Sequence, residues 1–498
     1  MRRVCVLNTG GTIGMEDTAS GYAPAPRGFL ASICRTVPMI HDAAFAAEAL
    51  NDAALLVTPV NEYDTRTVFR IVDYDPLLDS SNMTHTDWAR IASDIVEAYC
   101  DWDAFVVLHG TDTMAYTCSA LSLMLQNLSK TVVVTGSQIP LVRPRSDGHV
   151  NFLGALLIAG TFDIPVPTPS CPATFRSTDM QYFAEQEVCL YFADSLFRGN
   201  RATKVDASGL RAFASPNMAP LATMGISCSV RWDLVRTPSK GRIRLISDFT
   251  DNIVIIRVFP GPFTTLKNTL QPPLRGAVLQ TFGAGNAPDH DPTFLRTLRE
   301  ASERGVVVVN VTQCQSGSVA PHYATGQALA DAGVVQGGDM TAEAALVKLG
   351  WLLASGRSAE QVRALMATDL RGEITAHRTE RFSLHDGGFL RSVFSAIYDR
   401  HAPSDSEAPA TPPRRRSRSA PAPAGGGVAA EDSDEEADGI GGLASLRSAL
   451  MPTLLCSAAG AGDVEALTAM LADGAVRHRP DLTSPAHAVE LTGRWSRN

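Results

Sequence analysis

Short runs of consecutive apolar or β-branched residues recur along the chain and end abruptly in Gly, Thr, Ser or Asn. They are VCVLNTGG from Val4, FVVLHGTDT from Phe105, TVVVTGSQ from Thr131, IVIIRVFPG from Ile253, AVLQTFGAGN from Ala277 and VVVVNVTQ from Val306. Unbroken rather than alternating apolarity predicts strands covered on both faces, as in parallel sheets. Between the runs the period changes. In TDWARIASDIVEAYCDW, Trp88, Ile91, Ala92, Ile95, Val96 and Tyr99 line one helical stripe with acidic residues opposite. Similar helices are expected at Ala115–Leu128, Pro292–Glu303 and Thr341–Leu353. Strand and helix alternate, so the fold class is α/β with mainly parallel sheets.

Breaks in this rhythm divide the chain. Pro216, Pro220 and Pro238 mark a linker at 215–239 between a larger N-terminal domain, 1–214, and a smaller α/β domain, 240–400. Residues 401–442 carry Pro, Ser, Gly and blocks of charge with little apolar content, a composition that cannot offset its ordering entropy and predicts a disordered linker. Its Arg414–Arg416 and Arg418 run fits a nuclear signal or a nucleic-acid patch, or simply solvated charge neutralised by the acidic block that follows. The final stretch, 443–498, resembles a partial α-helical ankyrin unit, with Ala458-Ala459, Gly462-Asp463 and Gly474-Ala475. A lone unit of this kind needs something to dock on, hence a protein partner for the tail.

Composition narrows the function classes. At 498 residues, 45% apolar and 19% charged, the chain is long enough for two or three packed domains and ordinary enough to exclude collagen, wholesale disorder and a disulfide scaffold. A net charge of −9 argues against a general nucleic-acid binder. No apolar run approaches a membrane span, and the apolar stretch after Arg2-Arg3 is too short for a signal peptide, so a cytoplasmic protein away from membranes is expected. Nine cysteines without a C-x-x-C pair, among them Cys5, Cys118 and Cys314 in apolar surroundings, predict buried free thiols.

Candidate chemistry sits where the apolar runs end. Thr9-Gly10-Gly11-Thr12-Ile13-Gly14 lacks the spacing of a dinucleotide loop or a phosphate-binding P-loop, and presents a hydroxyl at its apex, either a nucleophile or part of a structural turn. His109-Gly110-Thr111-Asp112-Thr113 ends another run just before a helix, where ligands bind open α/β sheets, although Thr111 or Asp112 could merely cap that helix. Lys204, in Arg198-Gly199-Asn200-Arg201-Ala202-Thr203-Lys204, is a solvated lysine unless a hydroxyl and an acid stand beside it.

Taken together, TGGTIGM, Gly21-Tyr22, LDSSNMT from Leu78, LHGTDTMAYT, VVVTGSQIP, RGNRATK, FGAGNAP and VVVVNVTQC closely resemble the cytosolic, type I L-asparaginases, over about residues 1–375. The resemblance implies a two-domain fold and hydrolysis of L-asparagine by water through an acyl-enzyme, with no cofactor and no metal. Thr12 matches the nucleophile, with Tyr22 as its neighbouring tyrosine and Tyr323 as the second candidate. Thr111, Asp112 and Lys204 match the proton-handling cluster. Asp79, Ser80 and Ser81 match the substrate-holding turn, and Asp112 the group that takes the α-amino end. Asn286 matches a residue that reaches the neighbouring subunit's site, which implies a homodimer or homotetramer. Thr203 and Cys314 resemble positions of a second, allosteric asparagine site. Departures are an apparent insertion over Ile164–Glu187, Asn82 where bacterial members carry Asp, and no clear counterpart of the glutamate that orients the tyrosine in some relatives.

Competing readings are a glutaminase-type amidohydrolase and a non-catalytic interaction protein on the same fold. Some animal members with ankyrin repeats are described as lysophospholipases, but a G-x-S-x-G elbow is missing here, which counts against a serine-lipase mechanism and not against an esterase side activity.

Overall fold

A computed structural model describes residues 1–19, 21–161, 187–236, 241–261, 263–319 and 324–375. These fall in one unit, Met1–Ala376. Most of the Ile164–Glu187 insertion, Tyr323, the 401–442 linker and the ankyrin-like segment lie outside the described residues, as do residues 376–400 of the expected second domain.

All of the apolar runs that open the sequence analysis are strands. The larger sheet comprises β1 (Arg2–Gly10), β2 (Leu56–Val57), β3 (Thr67–Leu78), β4 (Ala104–Leu108), β5 (Val132–Thr135), β6 (Val188–Phe192), β7 (Ser195–Arg198), β8 (Ala222–Met224) and β9 (Cys228–Val230), in the order β9-β8-β7-β6-β5-β4-β1-β3-β2. Its centre, β3-β1-β4-β5-β6, is parallel. The margins are antiparallel, because β7 follows β6 through a two-residue turn that leaves no room for a crossover helix, and β2 pairs antiparallel with β3. The smaller sheet is wholly parallel: β10 (Ile253–Arg257), β11 (Gly276–Thr281), β12 (Val307–Thr312) and β13 (Val335–Gln336), in sequence order.

The unbroken apolarity of the strands has the expected cause. Val4 and Val6 of β1 face the core that contains Phe152, Ala155 and Leu156 of α3 (Gly148–Thr161). Cys5 and Leu7 face the opposite core, with Ile91 and Ile95 of α1 (His85–Glu97) and Cys118 and Leu121 of α2 (Met114–Met124). That second core continues into the smaller sheet through Val278 and Val309 and through Leu349 and Leu352 of α5 (Ala342–Ala354). The other face of the smaller sheet packs Phe294 and Leu298 of α4 (Pro292–Glu303) on Ala277, Leu279 and Val308.

Three expectations are corrected. Within 215–236, β8 and β9 extend the larger sheet as short edge strands, with Pro216 and Pro220 ahead of them; Pro238 lies outside the described residues. The helix expected to reach Leu128 stops at Met124, where Leu125 and Gln126 pair instead with Arg244 and Leu245. Cys314 is exposed, since it follows the end of β12 rather than sitting in it; Cys5 and Cys118 are buried thiols as expected.

Candidate active site

Four adjacent parallel strands, β3, β1, β4 and β5, deliver their carboxyl ends to one edge, and each ends on a motif from the sequence. Beyond β1, Gly10 and Gly11 have φ of 131° and 87°, conformations that side chains resist. Both also sit where no Cβ fits: one on Gly10 would lie 2.2 Å from the Leu78 carbonyl oxygen, and one on Gly11 2.4 Å from the Gly110 nitrogen. The Thr-Gly-Gly-Thr turn is therefore pressed between the two neighbouring strand ends, and Thr12, partly buried, opens a 3₁₀ turn there. Gly110 is confined in the same way, since its Cβ would meet Ser80 Oγ at 2.4 Å. Local glycine content thus draws the turns bearing Thr12, Ser80 and Thr111 together.

On the β3 side, Asp79 caps the turn Ser80–Asn82 by accepting the Ser81 N–H at 3.0 Å. Ser80 is buried, and its carbonyl accepts the Thr113 hydroxyl at 2.7 Å. On the β4 side, His109 is fully enclosed. Its Nδ1 lies 2.6 Å from the Gly110 carbonyl, which can only accept, so Nδ1 carries the proton and Nε2 accepts the Thr117 hydroxyl at 2.8 Å. Burial pushes the His109 imidazole down to about 4, so it is a neutral brace beneath the Gly110–Thr111 turn.

Lys204 arrives from the ribbon Thr203–Lys204, paired with Phe213–Ala214. The turn before it needs Gly199, whose Cβ would meet the Val188 carbonyl oxygen at 2.7 Å and Cys118 at 2.9 Å. Lys204 Nζ donates to Thr111 Oγ1 at 2.9 Å and to Asp112 Oδ1 at 2.8 Å. Thr111 is buried and Asp112 is open to solvent, so the cluster has an inner hydroxyl and an outer carboxylate joined by one ammonium. Asp206, just beyond Lys204, is held below the usual carboxylate range by the Gly209 and Ser208 N–H groups.

Tyr22 stands on the hairpin Met15–Thr18/Gly21–Pro24, opposite Asp17. It is half exposed, with the Arg143 guanidinium 5.9 Å from its ring centre while Arg143 pairs with Asp17. Asn286 follows β11 in the smaller sheet and bridges back to Phe282. Thr203 donates to Glu343 Oε1 at 2.6 Å.

Gln138, within VVVTGSQIP, has no role assigned from the sequence. Gln138 follows β5 and accepts the Thr111 hydroxyl at 3.2 Å. The signal was available: it closes a fourth apolar run at the same sheet edge. Also unforeseen were the buried pairs Arg201–Asp339 and Lys348–Glu373, whose partners are distant in sequence.

The family described as "Asparaginase, N-terminal" matches residues 3–168 and 175–236, and "Glutaminase/Asparaginase C-terminal domain" matches 252–366. A protein of Homo sapiens named "60 kDa lysophospholipase" is 40% identical over 495 residues, 98% of this chain and 75% of that protein. "L-asparaginase 1" of Escherichia coli K12 is 42% identical over 377 residues, 75% of this chain and 98% of that protein. Among solved structures, L-asparaginase I from Vibrio cholerae superposes with a TM-score of 0.61 at 41% identity, covering 75% of this chain and 99% of that one.

Proposed function

The chain belongs to the asparaginase family, and from that premise we propose that it hydrolyses L-asparagine to L-aspartate and ammonia, with Thr12 as nucleophile. The observation that carries this reading is the Thr111–Lys204–Asp112 cluster, set against the Thr12 turn by the close approach of Gly11 to Gly110. A threonine hydroxyl is a weak nucleophile until a neighbour takes its proton as it attacks. In this reading Thr12 Oγ bonds to the side-chain amide carbon while its proton passes to Thr111, which hands its own proton to Lys204 as Lys204 releases one to the Asp112 carboxylate. Backbone N–H groups of the two Gly-Thr turns hold the developing oxyanion, a contribution typically worth about 10²–10³ in rate per donor. The C–N bond breaks, the leaving nitrogen takes up a proton and ammonia departs. Water then attacks the aspartyl ester and returns the proton to Thr12.

Ser80 and Asp79 hold the amino-acid end of the substrate, with Ser81 beside them; Asp112 takes the α-amino group, and Tyr22 closes over Thr12 from the hairpin. Asn286 serves the site of a second copy, so the working form is a homodimer or homotetramer in the cytoplasm. Thr203 and Cys314 belong to a second asparagine site at the subunit interface.

The name of the human relative favours a second reading, ester hydrolysis of a lysophospholipid through the same acyl-Thr12 chemistry. One assay separates the readings: ammonia release from asparagine and from glutamine, beside fatty-acid release from a lysophospholipid. Asparagine is expected to be the preferred substrate. Fatty-acid release without ammonia would overturn the proposal, and glutamine preferred over asparagine would make it a glutaminase.

A further inference from the structure

We propose that a groove beside α3 binds a cationic amphiphile, a single alkyl chain that carries a carbonyl group and a quaternary ammonium head. The groove encloses about 450 Å³ and shares no residue with the site that gathers Thr12, Thr111 and Lys204, so the inference does not rest on the activity proposed above. Val150, Leu153 and Leu157 of α3 line it, joined by Met39, Val60 and Met224. Met39, Val60 and Val150 are each more than half exposed, an apolar surface that a hydrocarbon chain would take out of water. Two contacts fix how the groove runs. The Ala193 N–H donates to Asn151 near the start of α3, and Asn61 Nδ2 donates to Thr161 at its end, each at 3.1 Å. Asp194 therefore stands at one end and Glu62 at the other. Neither carboxylate has an ion-pair partner among the described residues, and no lysine or arginine lines the groove. Repulsion at both ends disfavours an anionic chain such as a fatty acid and favours a cationic head.

A polar group on the groove wall supplies the carbonyl requirement. Tyr191 is 1% exposed, yet its hydroxyl makes no hydrogen bond among the described residues. The tip of its ring lies against Gly154, where a Cβ would come within 2.4 Å of Oη, so the glycine is what leaves the hydroxyl its place on the wall. Burial and the Asp194 carboxylate push the phenol up, which keeps the proton on it. A buried O–H without an acceptor is costly, and a ligand carbonyl is the acceptor it lacks. Apolar length, charge at the ends and one unmet donor together specify the occupant. Its chain lies along Leu153 and Leu157, its carbonyl accepts from Tyr191 and its ammonium faces Asp194.

Calorimetric titration of the full chain tests this with three probes below their micelle concentrations. They are the amide analogue of decanoylcholine, decyltrimethylammonium, which lacks the carbonyl, and decanoate, which carries the opposite charge. The amide is expected to bind saturably, one per chain and about tenfold tighter than decyltrimethylammonium, with decanoate weaker again by about tenfold or more. Tyr191→Phe keeps the ring and should bring the amide down to the level of decyltrimethylammonium, leaving decyltrimethylammonium binding unchanged and the thermal midpoint no lower. Asp194→Asn suits the left-handed backbone at that position, where φ is 61°, and should weaken both cations about threefold to tenfold; it carries the test if the phenylalanine variant does not fold. Leu157→Arg sets a charge against the chain and should abolish binding of both cations with an unchanged circular dichroism spectrum. The proposal is overturned if the amide shows no saturable binding, if decanoate binds as tightly as the cations, or if neither cation responds to Asp194→Asn. Equal losses of both cations in Tyr191→Phe would also overturn it, as would a change of molecular mass in Leu157→Arg on size-exclusion chromatography, which would mean that a second copy covers the groove.

Discussion

Lys204 and Lys348 each hold a carboxylate at bonding distance, 2.8 Å to Asp112 and 2.6 Å to Glu373, in surroundings that otherwise differ throughout. Lys348 lies in the middle of α5 with its side chain 0% exposed, and Nζ also donates to the carbonyls of Met366 at 3.2 Å and Thr368 at 2.5 Å. All three ammonium protons are used. Glu373 is equally saturated, accepting the N–H groups of Leu370 and Arg371. Burial lowers the Lys348 ammonium from the ordinary lysine range against the pull of Glu373, so every contact around it offsets the cost of an enclosed charge. Lys204 is 20% exposed, its carboxylate 63%, and among the described residues it donates only to Thr111 and Asp112. One ammonium proton and most of a carboxylate remain available to solvent. A saturated buried pair holds a fold together; an unsaturated pair at a sheet edge is equipped to meet a ligand.

The sharpest way to break this comparison is to remove the nucleophile assigned to the open site. Thr12→Val should reduce ammonia release from asparagine below about one thousandth while the circular dichroism spectrum stays unchanged. Retained activity would show that Thr12 is not the attacking group.

Exchanging either lysine for methionine tests the two regions against each other. Lys204→Met should cost about 10²–10³ in kcat with little change in thermal midpoint. Lys348→Met strands the Glu373 carboxylate and should cost about 3–5 kcal/mol in denaturant unfolding. The reverse pattern, stability lost with Lys204 and turnover lost with Lys348, would refute the division of roles.

His109 sharpens the comparison through pH. Its folded pKa is depressed to about 4, below the unfolded value near 6.5, because burial disfavours the imidazolium. Above about pH 6.5 both states are neutral and nothing is lost. As pH falls toward 4 the unfolded chain gains a proton that the folded one refuses, so stability should drop by up to about 3 kcal/mol. His109→Gln, which keeps a donor toward the Gly110 carbonyl, should flatten that part of an unfolding-versus-pH profile; an unchanged slope would place the effect elsewhere.

The smallest effect is expected at a partly exposed pair. Arg236 and Asp369 meet at 3.0 Å with side chains 37% and 23% exposed. Arg236→Met should shift stability by less than about 1 kcal/mol by the same unfolding measurement. A loss as large as that of Lys348→Met would show that burial is not what separates the pairs.

Much of this arrangement was legible beforehand, and the exceptions have physical causes. The strands around Val4, Phe105, Thr131, Ile253, Ala277 and Val306 were readable because a strand buried on both faces leaves no polar alternation to confuse it. Helix α3 was not anticipated, since Asn151, Phe152, Gly154, Ala155, Leu156 and Ile158 are all buried and a helix enclosed on most sides shows no stripe. Strand β3 escaped because TVFRIVDYDPLL mixes charge and a proline into its apolar positions. At the site, Thr12, Thr111, Asp112 and Lys204 stood out through the turns that carry them, and Ser80 only through the family resemblance. Gln138 did not, because an amide becomes informative only when its two ends are assigned different partners.

By itself the sequence determined where strands end and which turns demand glycine, because residue volume and apolar period act over a few neighbours. Only the tertiary structure decided that Gly11 backs onto Gly110, that Lys204 reaches a hydroxyl 93 positions away, and that Lys348 is a structural ion while Lys204 faces the site. Those outcomes depend on which strand lies beside which and on how much water is left around each charge. Both are properties of the assembled sheet, not of any local stretch of chain.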